Sequence, residues 1–255
     1  MNKRAFTLAE VLITLGIIGV VAALTIPMLV GKYQEKQTVT AVKTAYSIFS
    51  QAYMRLNADY PDLSQLVDSD LTDKENAQVL FNELAKYMKT VRRCDKSKNC
   101  MGVKYKSLTG IPLYRSWDDY TNIETGILAN GMSFWVLSLK HSMGEEREYN
   151  GQIGIDINGQ KEPNQLGVDF FWFTVDKYGR IYPGRSGNKP AHTYTSCDIE
   201  NTTNGMNGYG CTEWILEHEN MDYLRHRITV DLPEENQDSS DSSKELRNFL
   251  FRLTT

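Results

Sequence analysis

The most prominent feature of the hydrophobic pattern is one long apolar segment near the N-terminus. Residues 11–30 read VLITLGIIGVVAALTIPMLV and contain no charged side chain. A helix of about 20 residues is about 30 Å long, which is the thickness of the hydrocarbon core of a bilayer. Lys3 and Arg4 precede the segment and favour a cytoplasmic N-terminus. We therefore expect the chain to cross a membrane once at most, with everything after this segment exported.

The pattern then changes from continuously apolar to amphipathic. Apolar residues recur at steps of three and four between residues 41 and 56, and Pro61 ends the pattern. The spacing predicts a single helix from Phe6 to about Asn57, with a length of roughly 75–80 Å. In this helix, residues 6–30 form the transmembrane and assembly half. Residues 31–60 form an amphipathic continuation whose apolar stripe faces a globular head.

The head, residues 61–255, has helix and strand signals that alternate. Helical spacing covers residues 76–88, and the turn dipeptides Asn130-Gly131 and Asn158-Gly159 separate strand signals. The predicted strand segments are 127–128, 132–139, 152–157, 168–175 and 180–182. Short strands joined by tight turns indicate an antiparallel sheet of roughly four strands. The long helix packed on this sheet gives an α+β fold.

The C-terminal part of the chain is more polar. A helix is expected from Glu213 to about Arg225. Residues 231–243 contain several acids and serines and no base, so we interpret them as a flexible linker or an exposed acidic loop.

Composition and motifs narrow the class of function. The 255 residues are 41% hydrophobic and 24% charged with a net charge of -4, which excludes a disordered chain and the basic surplus of a general nucleic-acid binder. No nucleic-acid partner is therefore predicted. None of the 4 histidines lies beside a nucleophile motif, and the sequence contains no G-x-S-x-G, H-E-x-x-H or P-loop. We predict no catalytic residues and no enzymatic activity.

Glu10 is the unusual residue of the N-terminal segment. A carboxylate inside a bilayer costs on the order of 2.5–3.5 kcal/mol or more, and a disposable signal would gain nothing from it. Cleavage between Ala5 and Phe6 would create an α-amino group on Phe6, one helical turn from Glu10. In an array of such helices, Glu10 of one subunit could pair with the amine of a neighbour and set the axial register.

An ordinary secretory signal is the alternative interpretation. It would have its cleavage site at Val21-Ala22-Ala23, and the mature chain would start at Leu24. The apolar segment is longer than the usual signal core of about 7–15 residues. Under this alternative, the chain is a secreted or membrane-anchored binding protein or an enzyme.

A basic leader followed by Phe6-Thr7-Leu8-x-Glu10 and a long apolar helix resembles the N-terminal signal of type IV pilins and type II secretion pseudopilins. The resemblance implies that residues 1–5 are a leader peptide and that a prepilin peptidase cuts between Ala5 and Phe6. The same enzyme would methylate the amine of Phe6, and Glu10 would direct assembly. Pro27 matches a proline that pilin helices often contain. Ala5 is a departure, since the family usually has Gly at this position.

The resemblance also implies a function, a location and partners. The chain would be a structural subunit of a pilus or pseudopilus, held in the bacterial inner membrane by a single span with its head exported. It would then enter an extracellular or periplasmic fibre. The implied partners are the prepilin peptidase, other pilin or pseudopilin subunits, and an assembly platform with its ATPase.

The cysteines fit an exported head. Four cysteines allow two disulfides in three connectivities. We favour the local pairs Cys94–Cys100, in the basic polar loop of residues 92–100, and Cys197–Cys211, around an Asn- and Gly-rich loop. Unpaired thiols remain the alternative. A metal site is disfavoured because the spacings are not C-x-x-C and no histidine is close to either pair.

A metal candidate lies elsewhere in the head. Asp156, Asn158 and Asp169 place oxygen-bearing side chains around a glycine turn, which suits Ca²⁺. The segment lacks the full spacing and the terminal Glu of a twelve-residue calcium loop. Turn statistics favour the other interpretation, a hairpin turn with Asx caps. No other cofactor is predicted.

Overall fold

The computed structural model describes residues 7–68, 70–94, 100–113, 117, 120, 122–138, 150–184 and 196–228. The proposed cleavage site at Ala5 and Phe6 and the acidic segment 231–243 lie outside these residues. A long helix and an antiparallel sheet make up the described fold, so the predicted α+β, pilin-like class is confirmed.

The long helix, α1 (Leu8–Asp59), is continuous through Pro27. It begins where the Thr7 side chain accepts a hydrogen bond from the backbone of Glu10 and the Glu10 side chain accepts one from the backbone of Thr7, an arrangement called a capping box. Its buried residues all lie in the C-terminal part, starting at Val39. The exposed apolar part and the part that contributes to the core therefore belong to one unbroken helix.

Within the described residues, the sheet contains six antiparallel strands in chain order, so each strand pairs with the next one along the chain. The strands are β1 (Thr90–Cys94), β2 (Ile123–Leu128), β3 (Ser133–Ser138), β4 (Asn150–Asp156), β5 (Phe170–Asp176) and β6 (Ile181–Pro183). Gly131 makes the β2–β3 turn at φ 88° and Gly179 makes the β5–β6 turn at φ 73°, conformations that glycine adopts without steric cost.

The predicted number of strands, roughly four, was too low. The strand that the prediction missed is β1, which contains two arginines. Arg92, Arg93 and Cys94 belong to β1 instead of a loop. β1 is an edge strand whose middle residues are exposed, so it lacks the apolar alternation that marks a half-buried strand. It is paired to β2 by the backbone.

Helices cover one face of the sheet. Phe49 of α1 and Phe81 of α2 (Asp73–Ala85) both contact Phe134 of β3, with ring centroids 5.3 and 5.6 Å apart. Tyr46 of α1 lies 6.1 Å from Phe173 of β5. The apolar stripe of α1 thus forms the main core of the head, as the periodicity predicted.

The opposite face of the sheet carries a second core made of aromatic rings. Phe170 and Trp172 of β5 and Trp135 of β3 point to this side, and Trp117 lies over them. Because alternate residues of a strand point to opposite faces, the run Phe170-Phe171-Trp172-Phe173 serves both cores.

The C-terminal helix is shorter than predicted. α3 (Cys211–His218) ends at Glu219, which has a left-handed φ of 54°, and a separate 3-10 turn follows at Asp222–Leu224. Apolar spacing continues across the break, which explains why the pattern suggested one helix to Arg225.

Candidate assembly site

The N-terminal half of α1 presents an apolar surface that the described part of the head does not cover. Leu12, Ile17 and Leu24 are 61%, 60% and 71% exposed, and no residue of the helix before Val39 is buried. In the part of the chain that is described, this is the one helix long and apolar enough to cross a membrane. A continuous apolar surface of this length requires lipid or other apolar helices around it.

Glu10 lies at the outer end of this surface and its carboxylate is exposed. The backbone N–H and the hydroxyl of Thr7 both donate to Oε2 of Glu10, each at 2.8 Å, and the Glu10 N–H donates to Thr7 Oγ1 at 3.3 Å. Oε1 takes part in none of these hydrogen bonds. The carboxylate therefore caps its own helix through one oxygen and presents the other outward.

Pro27 lies inside the exposed half of α1. It has no N–H group, so the helix lacks the hydrogen bond that would reach the carbonyl of Ala23. The helix remains unbroken at this point.

Ion pairs and hydrogen bonds connect the amphipathic half of α1 to the segment of the head that follows α3. Arg225 donates to both carboxylate oxygens of Glu35, at 2.9 and 3.1 Å, and the Met221 N–H donates to Oε1 of Glu35 at 2.8 Å. The hydrogen bond from Arg225 lowers the pKa of Glu35 below its ordinary value. A second ion pair joins Lys43 to Glu219 at 2.7 Å. These pairs could not be predicted from the sequence, because the partners are 176 and 190 residues apart and each is an ordinary surface charge in its own segment.

Two disulfides join Cys94 to Cys100 and Cys197 to Cys211. All four cysteines are buried. Gly167 shows how closely the second bridge packs, because a Cβ at this position would lie 2.8 Å from Sγ of Cys211. The first bridge therefore links the end of β1 to Cys100, and the second links Cys197 to the first residue of α3.

The three calcium candidates of the sequence lie together, with Asp156 at the end of β4 and with Asn158 and Asp169 in the connection that leads to β5. Asp156 is buried and accepts hydrogen bonds from the hydroxyl of Tyr105 at 2.6 Å and from the Asn158 N–H at 3.2 Å. Asp169 accepts from the Asn158 side-chain amide at 3.1 Å. Burial raises the pKa of Asp156 to about 8, and the negative charge of Asp169 contributes to the increase. The cluster therefore contains two carboxyl groups that are costly to ionise together.

These Asx hydrogen bonds are the ones that the turn interpretation expects. Asn158 donates to Asp156 two residues before it, and Asp169 accepts from the backbone of Asn164 and Gln165 at 2.8 and 2.6 Å. Among the residues the structure describes, no three His, Cys, Asp or Glu side chains come together as a metal site. Tyr105 is a member of the cluster that sequence reasoning missed, since it lies in a segment without a recognisable motif.

The N-terminal segment matches a known protein family. Residues 1–26 match the family described as the prokaryotic N-terminal methylation motif, which is the prepilin-type signal of type IV pilins and pseudopilins. No curated protein and no solved structure matches the chain. The matched segment contains Ala5, Phe6 and Glu10, and it ends one residue before Pro27.

Proposed function

We propose that this chain, which carries the prepilin-type signal, is a structural subunit of a type IV pilus or a type II secretion pseudopilus. The observation that supports the proposal is the position of Glu10, inside the matched segment and at the start of a long apolar surface that the head residues described here leave uncovered. A prepilin peptidase would remove residues 1–5 and methylate Phe6. The head would then be exported while α1 holds the subunit in the inner membrane.

Polymerisation in this proposal is non-covalent. Apolar helices leave lipid for an equally apolar fibre core, so hydrophobicity contributes little net free energy to assembly. Specificity must then come from side-chain packing and from polar contacts. Glu10 offers Oε1 to the amine of Phe6 in a neighbouring subunit, while Oε2 continues to cap its own helix. Pairing of the two charges offsets the cost of burying them and sets the axial register.

The continuity of α1 favours this proposal over an ordinary secretory signal. The apolar segment and the stripe that forms the head core are parts of one helix, Leu8–Asp59. Cleavage after Ala23 would start the mature chain in the middle of this helix. Cleavage before Phe6 leaves the whole helix intact.

The proposed partners follow from this role. They are the prepilin peptidase, other pilin or pseudopilin subunits, and an inner-membrane assembly platform with its ATPase. The fibre would be extracellular or periplasmic, and the subunit would act as a building unit and not as an enzyme.

The mature N-terminus tests the proposal. The full chain is produced in a bacterium that contains a prepilin peptidase, and the membrane fraction is analysed by peptide mass spectrometry. We expect an N-terminal peptide that starts at N-methylated Phe6. In the matched strain without the peptidase, the chain should keep residues 1–5. A mature chain that starts at Leu24 and is released from the membrane would refute the proposal.

A further inference from the structure

One edge of the sheet is basic. β1 is the first strand in the sheet order, so within the described residues β2 is the one strand that lies beside it. Residues 84–94 contain no acid and four cations, Lys86, Lys89, Arg92 and Arg93. We call residues 86–93 the basic edge. Lys89, Val91 and Arg92 are exposed to solvent, and the exposed fraction of Val91 is 70%.

Two of these cations have acidic partners in the same head. Lys86 pairs with Glu83 at 2.5 Å, and Arg93 pairs with Glu124 at 3.0 Å. Lys89, in contrast, takes part in no ion pair formed among the described residues. The basic edge therefore presents positive charge that an acidic segment can neutralise.

The chain itself contains a segment of the opposite charge. Residues 231–243 contain five acids and no base, and they begin three residues after Ile228, the last described residue. Because the net charge of the whole chain is only -4, the positive and the negative charge are concentrated in different segments. Opposite charges on two surfaces steer their encounter and fix the register in which they meet.

The two segments begin at opposite ends of the part of α1 that carries the head. Arg225 contacts Glu35, whereas the Tyr87 hydroxyl donates to Asp59. Glu35 and Asp59 are about 36 Å apart along α1, at about 1.5 Å per residue. Three residues of extended chain cover about 10 Å, so the acidic segment begins near the end of the head at Glu35, which we call the base. The basic edge begins beside Tyr87, at the other end.

We propose that the basic edge of one subunit binds residues 231–243 of a second copy of this chain. The inference rests on the proposed role as a fibre subunit. In a fibre of parallel helices, neighbouring copies are shifted along the helix direction, so the base of one head lies beside the far end of the next. This shift brings the acidic segment of one copy to the basic edge of the other. The contact joins two different surfaces, and heterologous contacts of this kind continue into an open fibre.

The contact forms only on assembly. Subunits that α1 holds in the membrane lie at the same depth, because the apolar half of each helix spans the same bilayer. The acidic segment of each subunit then lies beside the bases of the neighbouring heads, away from their basic edges. The charges therefore favour the fibre over the membrane pool, in a transfer to which the apolar helices contribute little net free energy.

Cross-linking of intact fibres tests the contact. Fibres from cells that produce the full chain are treated with a carbodiimide, which joins a lysine amine directly to a contacting carboxyl group. The products are separated in SDS, and the monomer and dimer bands are analysed by peptide mass spectrometry. We expect dimers in which Lys89 is linked to an acid of residues 231–243. A link within one chain would remain in the monomer band.

Charge variants test whether the contact supports assembly. Lys89→Glu should lower the amount of subunit in fibres, relative to the membrane fraction, by about fivefold or more, because it brings like charges together. Glu234→Lys combined with Glu235→Lys should have a similar effect, and all three substitutions in one chain should restore much of the yield. Because Lys89 is exposed, Lys89→Glu should keep the unfolding temperature of the wild type.

Lys74→Glu is the matched control. Lys74 is an exposed lysine near the start of α2, away from the basic edge that follows this helix, and it takes part in no ion pair within the described part of the chain. The substitution changes the charge by the same amount as Lys89→Glu, and this variant should enter fibres normally.

Three results would overturn the inference. Normal fibre yield from Lys89→Glu, with no link from Lys89 in the wild type, would show that the charges only protect the strand edge from pairing. Links from Lys89 confined to the monomer band would place the acidic segment on its own head. A link from Lys89 to a different protein of the fibre would assign another partner. In all three cases, fibres of chains that start at Phe6 would leave the proposed function intact, whereas a chain that starts at Leu24 and forms no fibre would refute both.

Discussion

Glu35 of the long helix and Arg225 at the end of the described head form a two-point ion pair, with N–O distances of 2.9 and 3.1 Å. Glu35 is the last acidic residue of α1 before the first buried position, Val39. The pair therefore joins the head to the helix next to the boundary between the exposed apolar half and the core-forming half.

Glu35→Gln should reduce the free energy of unfolding by about 1 kcal/mol. The amide can still accept from the Met221 N–H, but it loses the charge that holds Arg225. The figure is small because the Arg225 side chain is 54% exposed and water screens the pair. Denaturant unfolding of the full chain in detergent, followed by tryptophan fluorescence, measures the change. Lys43→Gln is the control for an exposed pair and should cost less, since its partner Glu219 is 61% exposed. Equal losses in the two variants would contradict the special position of Glu35.

The contribution of Glu35 should depend on pH. Its pKa is lowered in the folded state by the hydrogen bond from Arg225, so the folded protein binds this proton less readily than the unfolded chain does. The stabilisation is then fully present above the unfolded pKa of about 4.3 and is lost as the pH falls through the folded pKa. The difference in unfolding free energy between wild type and Glu35→Gln should therefore shrink below about pH 4.3. A difference that grows on acidification would show that the sign is wrong.

Glu10 variants should separate helix capping from assembly. Glu10→Gln keeps a side-chain oxygen that can cap Thr7 but removes the negative charge. We expect processed subunits that remain in the membrane and do not enter fibres, and we expect the same result for Glu10→Ala, which removes the whole carboxyl group. Thr7→Val removes the hydroxyl from the capping box, keeps the carboxylate of Glu10 and should assemble. The measurement is the amount of subunit in sheared or purified fibres relative to the membrane fraction. Normal fibre formation by Glu10→Gln would show that the charge is not required.

Gly154→Ala should disturb the aromatic core. A Cβ on Gly154 would lie 2.3 Å from Cε2 of Trp135 and 2.6 Å from Cζ of Phe170. The rings are held between β3 and β5, so the expected loss of unfolding free energy is about 1–3 kcal/mol or more. Gly205→Ala is the control, because a Cβ there meets no heavy atom within 4 Å. It should be close to neutral in the same unfolding measurement, and a similar loss in both variants would contradict the close packing at Gly154.

Removal of the Cys197–Cys211 bridge should cost about 3 kcal/mol, on the loop-entropy estimate for a loop of about 15 residues. The shorter Cys94–Cys100 loop should contribute less, about 2 kcal/mol on the same estimate. Paired Ser substitutions at each bridge, compared by denaturant unfolding under non-reducing conditions, test this order. The expected order would be wrong if the variant without the Cys94–Cys100 bridge were less stable than the variant without the Cys197–Cys211 bridge.

The local pattern of apolar and turn residues was sufficient to predict those elements that depend on residues close together in the sequence. The apolar segment, the stripe from residue 41 to residue 56 and the turn at Asn130-Gly131 all predicted structure that is present. The strand β1 was missed because an exposed edge strand is held by backbone hydrogen bonds and carries no apolar alternation. The length of α3 was overestimated because apolar spacing does not reveal the left-handed residue Glu219 that ends it.

By itself, the sequence determined the N-terminal helix, its lipid-length apolar half and the signal that contains Glu10, because these depend on residues close together along the chain. Tertiary structure alone decided which distant residues meet. Glu35 pairs with Arg225, and Tyr105 reaches Asp156, only after the sheet and α1 have packed. Such contacts form between residues that are far apart in the sequence, and they produce no hydrophobic periodicity by which they could be predicted. The same physical reason explains why the N-terminal signal was recognisable in advance and the cluster between β4 and β5 was recognisable only in part.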